Sequence, residues 1–356
     1  MQRDLSTDRR RDGNGGEGAR RPRIGAGRAV LLAALMVLGT QGRATAALLY
    51  GASGAGNTIF MVDTTTGVVS NSFTTPNPNP DDLLALGAGR VLYLDQGFTG
   101  REDQPAPFTG QVRMHNFTTG ADSLIASGFS RPADLALDPS GQNVYLTESS
   151  SNSGRIDRVN LATGAVTVLP GNFGAPNGII FDNAGRLFVD IGTRFGGPAG
   201  SSIAQVDPTT GLILQTTPGI NSADGLTFDP VTGRLFTASA LSPTLYSFDP
   251  NNLGGSEKTI TLPTNSDGVI SNGGGQLFIG GRATPGTTGA SIYTYDIASG
   301  TFTTSAFVAG ASSIDLTLVP AGVSVPEPGS LALTGLGFLA LVGTRSARKL
   351  VGRKAG

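Results

Sequence analysis

The chain has 356 residues, a formal net charge of −1 at pH 7 and no cysteine or tryptophan. The lack of cysteine excludes disulfides, thiol nucleophiles and cysteine-ligated metals. Residues 47–325 contain 11 Lys and Arg against 21 Asp and Glu. A body this acidic excludes nucleic acid as a partner, because binding to phosphates requires neutralising cations.

The N-terminus predicts a secretory signal peptide over residues 1–46. Eight arginines precede the apolar run Ala29–Leu38, and Ala44-Thr45-Ala46 places small residues before the expected cleavage site. This order is typical of a signal for the export machinery. We expect the mature chain to begin at Ala47, although the long basic leader leaves open a translation start later than Met1.

Residues 47–320 predict an all-β fold, namely a six-bladed β-propeller. Short alternating apolar runs separated by Gly, Thr, Ser and Asn are typical of strands. One pattern combines an acidic or amide residue, a strand, a Gly turn and a second strand, and it begins at Asp82, Asp134, Asn177, Asp224, Asp267 and Asp315. A second pattern, a strand that ends in Asp or Asn before a Thr-Gly, Ser-Gly or Gly-Gly turn, alternates with the first. Six units of four strands at 43- to 52-residue intervals indicate propeller blades.

The two ends of this region predict how the ring closes. Asp315–Val319 supplies only an innermost strand, whereas Leu48–Phe73 supplies the remaining strands of a blade. We expect one blade to be completed by strands from both termini.

The six residues that begin the innermost strands, together with Asp81, are expected to meet at one mouth of the central channel. Neighbouring carboxylates raise one another's pKa, and a hard cation such as Ca²⁺ relieves their repulsion. A structural role is the alternative, because Asp and Asn often cap backbone amides and Asp-Gly and Asn-Gly are common turn pairs. Both interpretations stay open at this point.

Two segments resemble the senescence marker protein/gluconolactonase family and, more loosely, NHL-type propellers. They are Pro176-Asn177-Gly178 in PNGIIFDNAGRLFV and Asp224-Gly225 in ADGLTFDPVTGRLF. The resemblance implies metal ligands at Asn177 and Asp224, with Asp315 in place of the family's glutamate and Asp134 near its substrate-side segment. It also implies that Asp224 is the general base of a lactone hydrolase.

Three further side chains bear on catalysis. Arg131 and Arg194 are expected near the mouth, where they could hold an anionic product. The single histidine, His115, lies in the second pattern, where a surface or turn position is expected.

The C-terminus predicts a membrane-sorting signal. Residues 321–328 form a linker ending in Val325-Pro326-Glu327-Pro328, residues 329–344 are an apolar transmembrane sorting helix, and residues 345–356 are a basic cytoplasmic tail containing Arg345, Arg348 and Lys349. The apolar run rises only about 22 Å as a helix against a core of roughly 30 Å, which favours a transient span. The arrangement resembles the PEP-CTERM signal of bacterial envelope proteins and implies an exosortase as processing enzyme.

The sequence therefore favours an exported binding or structural propeller. It would be tethered transiently at the inner membrane and then reach the envelope, outer surface or extracellular space. The expected partners are a polysaccharide or protein matrix, with a small molecule or divalent cation as a possible ligand. The alternative is a calcium-dependent, lactonase-like hydrolase.

Overall fold

The computed structural model describes residues 47–53, 57–77, 79–97, 109–149, 154–192 and 200–319. The predicted signal peptide, linker, sorting helix and basic tail lie outside these ranges. No helix within the described ranges has the length and apolar character needed to cross a membrane.

Within these ranges, 24 strands form six four-stranded antiparallel sheets, which confirms the six-bladed propeller. In every blade the four strands follow one another from the central channel outwards. Blade 1 consists of β24 (Ile314–Leu318), β1 (Leu48–Ser53), β2 (Thr58–Asp63) and β3 (Val69–Thr74). Blade 2 consists of β4 (Pro80–Gly87), β5 (Arg90–Asp95), β6 (Gly110–Asn116) and β7 (Ala121–Phe129). Blade 3 consists of β8 (Pro132–Leu137), β9 (Asn143–Glu148), β10 (Arg155–Asn160) and β11 (Val166–Val168). Blade 4 consists of β12 (Ile179–Phe181), β13 (Leu187–Gly192), β14 (Ser201–Val206) and β15 (Ile213–Thr216). Blade 5 consists of β16 (Ala223–Asp229), β17 (Arg234–Ser239), β18 (Thr244–Phe248) and β19 (Lys258–Thr261). Blade 6 consists of β20 (Ser266–Ser271), β21 (Gln276–Gly281), β22 (Gly289–Asp296) and β23 (Thr301–Ala309). A short 3-10 helix, Leu253–Gly255, lies between β18 and β19.

Blade 1 closes the ring in the way the sequence predicts. Strand β24 pairs antiparallel with β1, and Asp315 lies opposite Ala52. The last described strand is therefore hydrogen-bonded to the first, and the two ends of the ring hold each other in place.

The core is divided among the interfaces between neighbouring blades. One apolar cluster joins Phe60 of blade 1 to Phe278 of blade 6, and each of the other five clusters likewise combines residues from two adjacent blades. Successive strand residues point to opposite faces of the sheet, so a single blade has two apolar faces. A closed ring covers both faces of every blade.

His115 occupies one of these interfaces, so the expected surface or turn position is wrong. Its side chain is buried, and its ring lies 3.8 Å from that of Phe73, centroid to centroid. The His115 side chain points towards blade 1 rather than towards solvent. The ring of Phe117 also contacts it edge-on. Burial lowers the pKa of His115.

Candidate functional site

The innermost strands enclose a cavity of about 100 Å³ at the end of the channel where they begin. All six blades contribute to its wall. The acidic and amide residues that line it, which we call the acid mouth, are Asp81, Asp82, Asp134, Asn177, Asp224, Asp267 and Asp315. The structure thus brings together every ring residue selected from the repeats, including the four metal-ligand candidates.

Two carboxylates of the acid mouth bind the backbone of the following blade. Asp82 Oδ2 accepts the N–H of Leu135 at 2.9 Å, and Asp134 Oδ2 accepts the N–H of Ile179 at 2.7 Å. Asp134 Oδ1 also accepts the N–H of Leu135 at 2.7 Å. These bonds join blade 2 to blade 3 and blade 3 to blade 4, so the carboxylates satisfy backbone groups that lie between the sheets.

The two residues of the family resemblance are in direct contact. Asn177 Nδ2 donates to Asp224 Oδ1 at 2.5 Å, across the boundary between blades 4 and 5. Asp190 on β13 is buried and interacts electrostatically with Asp224. Burial, and then the charge of Asp224, raises the pKa of Asp190.

The glycines of the two Asp-Gly pairs lie within strands rather than in turns between strands, and they allow close packing there. Asp224-Gly225 lies within β16 and Asp267-Gly268 lies within β20. A β-carbon on Gly225 would lie 3.2 Å from the Cα of Gly268, and one on Gly268 would lie 3.1 Å from the Cα of Asp315. Glycine therefore allows the inner strands of blades 5, 6 and 1 to approach closely around the axis.

Arg282 is the functional residue that sequence reasoning missed. It follows β21 and lines the cavity, where its Nε donates to Asp267 Oδ1 at 2.5 Å. The equivalent position after the second strand holds Gln96 in blade 2, Ser149 in blade 3 and Ala240 in blade 5. An alignment of the repeats at this position would have revealed the charged residue.

Gln96 is a second polar group at the mouth. Its Nε2 donates to Asp81 Oδ2 and, at 3.2 Å, to the carbonyl oxygen of Pro132 in blade 3. The side chain thus links a mouth carboxylate to the neighbouring blade.

Three of the crowded carboxyl groups, those of Asp82, Asp134 and Asp315, bind protons more readily than they would in water. Burial raises the pKa of Asp82 to about 6. Burial, and then the neighbouring Asp82 carboxyl, raises the pKa of Asp134 well above its usual value. Burial also raises the pKa of Asp315, with further contributions from Asp81 and Asp267.

The guanidinium of Arg282 compensates part of this negative charge. Burial acts to lower the pKa of Arg282, but the carboxylates of Asp267 and Asp224 outweigh burial and raise it. The acid mouth is therefore a site for protons and for positive charge, with one permanent cation built into its wall.

Other expected site features are placed as follows. Arg131 is absent from the residues that line the cavity, and Arg194 lies outside the described residues. Over the described part of the chain, no group of three or more His, Cys, Asp or Glu side chains is arranged to hold a metal ion.

Comparison with known proteins bears on the C-terminus and on the fold. The PEP-CTERM protein-sorting motif matches residues 324–349. No curated protein matches the sequence. Among solved structures, the chain is similar to one from the nidogen/laminin complex, with 19% identity and a TM-score of 0.58 over 76% of this chain and 97% of that one. It is also similar to TolB from Acinetobacter baumannii, with 16% identity and a TM-score of 0.57 over 82% of this chain and 71% of the other.

At these identities the structural likeness shows the propeller fold alone, whereas the motif implies export, cell-surface sorting and processing by an exosortase. The chain is a six-bladed β-propeller that carries a PEP-CTERM protein-sorting motif.

Proposed function

We propose that this protein is a binding or structural module of the cell envelope or extracellular matrix. In this account the acid mouth holds the blades together, and partners contact the outside of the propeller. The sorting motif at residues 324–349 supports delivery to the cell surface.

The hydrogen bond from Ile179 N to Asp134 Oδ2, 2.7 Å long, is the observation that carries the proposal. Together with the equivalent bond from Leu135 N to Asp82, it commits mouth carboxylates to the backbone of the next blade. The backbone amides that these carboxylates accept are buried between the inner strands, so Asp82 and Asp134 have a structural task in the fold. The ring is therefore best explained as part of the fold.

The size of the cavity supports the same conclusion. Pockets for small-molecule ligands typically measure about 300–1,000 Å³, whereas the axial cavity measures about 100 Å³. A cavity of this size admits an ion or a few waters but not a sugar lactone. A propeller of similar fold in the nidogen/laminin complex is an example from a protein assembly.

Cell fractionation tests the proposal. We expect the wild-type chain to lose its C-terminal segment and to be recovered with the cell-surface matrix. Replacement of Pro326, Glu327 and Pro328 by alanine should leave the full-length chain in the membrane fraction, whereas Gly322→Ala, which precedes the matched residues 324–349, should behave as the wild type. Processed protein that is found free in the medium, with none bound to the matrix, would refute a matrix role.

A calcium-dependent lactonase is the second candidate, and the contact between Asn177 and Asp224 favours it. The two residues would hold the ion with Asp315 and Asp134, and Asp224 would accept a proton from water. Calcium would have to replace the Asn177–Asp224 hydrogen bond. Hydrolysis of sugar lactones by the wild type that is lost in Asp224→Ala but kept in Glu257→Ala, an exposed loop variant, would establish this activity.

A further inference from the structure

We propose that Asn272-Gly273, in the turn between β20 and β21, is a self-modification site at which the amide of Asn272 becomes a carboxylate without the help of an enzyme. The inference goes beyond the proposed function. Strand β20 has Asp267 of the acid mouth near its start and this turn after its end, so the two sites lie at opposite ends of the strand.

The reaction needs only the chain and water. The backbone nitrogen of Gly273 attacks Cγ of Asn272 and forms a cyclic imide, while the bond from Cγ to the side-chain nitrogen breaks. The proton that leaves the Gly273 nitrogen is balanced by the proton that the departing ammonia takes up. Water then opens the ring at either carbonyl and gives aspartate or isoaspartate, which adds a negative charge to an already acidic body. A glycine after the asparagine leaves the attacking nitrogen unhindered, since it has no side chain.

The attacking nitrogen has a path for its proton. Gly273 N donates to Ser271 Oγ at 3.0 Å, and Ser271 Oγ donates to Asp229 Oδ1 at 2.7 Å. Asp229 belongs to blade 5 and is fully buried, so the path crosses from the turn of blade 6 into the blade interface. A positioned acceptor assists a reaction in which a weakly acidic N–H must lose its proton.

The side chain under attack is held by three hydrogen bonds. Asn272 Oδ1 accepts the N–H of Gly274 at 2.8 Å and that of Gln276 at 3.1 Å. Negative charge develops on this oxygen when the nitrogen adds to Cγ, and two backbone donors stabilise such an oxyanion. Asn272 Nδ2, the leaving nitrogen, donates to Gln276 Oε1 at 3.0 Å. The turn thus holds the amide and supplies donors where the charge appears.

A second Asn-Gly pair within the described ranges provides an internal control. Gly273 is exposed, so water can reach a ring formed there, whereas Gly178 of the Asn177-Gly178 pair is buried. A β-carbon on Gly178 would lie 2.9 Å from Cβ of Leu226, and Nδ2 of Asn177 is bound to Asp224. The close packing leaves no room for ring closure. We therefore expect Asn272 to react and Asn177 to persist.

Peptide mapping of the full chain tests this difference. After incubation at neutral pH, trypsin should release residues 259–282, which contain Asn272, and residues 159–186, which contain Asn177. The first peptide should gain the mass of an amide that becomes a carboxylate, with fragmentation placing the change at Asn272, and it should be methylated by an isoaspartyl methyltransferase. The second should stay unchanged at Asn177. An unmodified Asn272, or equal modification of both asparagines, would overturn the proposal.

Substitution of Ser271 tests the proton path. Ser271→Ala should slow the modification of Asn272 at least about tenfold, because positioned proton acceptors contribute about 10²- to 10⁴-fold. Ser271→Thr keeps the hydroxyl group and should react at the wild-type rate. If the hydrogen bonds of the turn merely protect Asn272, Ser271→Ala would loosen the turn and react faster, and that result would refute the path. The comparison of Asn272 with Asn177 in the wild type does not depend on whether a variant folds.

Discussion

Asp134 Oδ2 of blade 3 accepts the backbone N–H of Ile179 of blade 4 at 2.7 Å. The same carboxyl group accepts the N–H of Leu135 through its other oxygen. One buried side chain thus satisfies the backbone of two inner strands. The structural role of the acid mouth depends most directly on this relationship.

Removal of that side chain should destabilise the ring. Asp134→Ala leaves the buried N–H of Ile179 without its acceptor, at a cost of about 1–3 kcal/mol. Asp134→Asn keeps one acceptor oxygen and should cost less. Urea unfolding at pH 6 measures both variants, with Glu257→Ala as the exposed control. A wild-type midpoint for Asp134→Ala would show that the bond contributes nothing.

Stability should fall as the pH rises through about 6. Because burial raises the pKa of Asp82 from 3.8 to about 6, the folded state holds a proton that the unfolded state has released in this interval. The stability that this proton provides is fully present below pH 3.8 and lost above about 6. Thermal melting between pH 4 and 7 should show the decline. Asp82→Asn should reduce its slope, whereas Glu257→Gln, at an exposed position, should not.

A second decline, which ends near pH 8, is expected from a different cluster. Burial, and then the neighbouring Asp157, raises the pKa of Glu148 to about 8. Glu148 accepts the N–H of Ser130 at 2.8 Å and pairs with Arg155 at 2.7 Å. The stability that its proton provides is fully present below pH 4.5 and has been lost by about pH 8. Glu148→Gln should therefore reduce the fall in melting temperature between pH 5 and 8, and an unchanged slope would contradict the assignment.

Arg282 should matter most when the mouth carboxylates are ionised. Arg282→Ala leaves Asp267 and its neighbours uncompensated, and we expect a loss of roughly 2 kcal/mol at pH 8, between the values for exposed and buried pairs. At pH 5 the loss should be smaller, because more of the carboxyl groups are protonated. Arg282→Lys should restore part of the stability at pH 8. An equal loss at both pH values would point to packing instead of charge.

The repeats predicted the architecture because each blade meets the same physical requirement. The inner-strand position that Asp82 and Asp134 occupy has a similar environment in every blade, so the same residue type recurs there. Ring closure followed from the incomplete units that contain Leu48 and Asp315. These features are periodic, and periodicity is visible in the sequence.

The rest of the site depends on contacts that occur once. Arg282 compensates charge in one blade only, so the sequence shows it only as a departure from the uncharged residues at the same position of other blades. Gly225 and Gly268 look like turn residues until the close approach of the inner strands is known. His115 is buried because it contacts Phe73 of blade 1 and Phe117 of blade 2, and the strand pattern alone does not show these contacts.

A calcium titration of the wild-type protein, followed by thermal melting, tests the central claim most directly. If the acid mouth is a structural ring, millimolar calcium should leave the melting temperature unchanged in the wild type, Asn177→Ala and Asp224→Ala. A rise in the wild type that disappears in both variants would contradict the account, because a ligand that binds the folded state stabilises it. That result would favour the metal-dependent hydrolase.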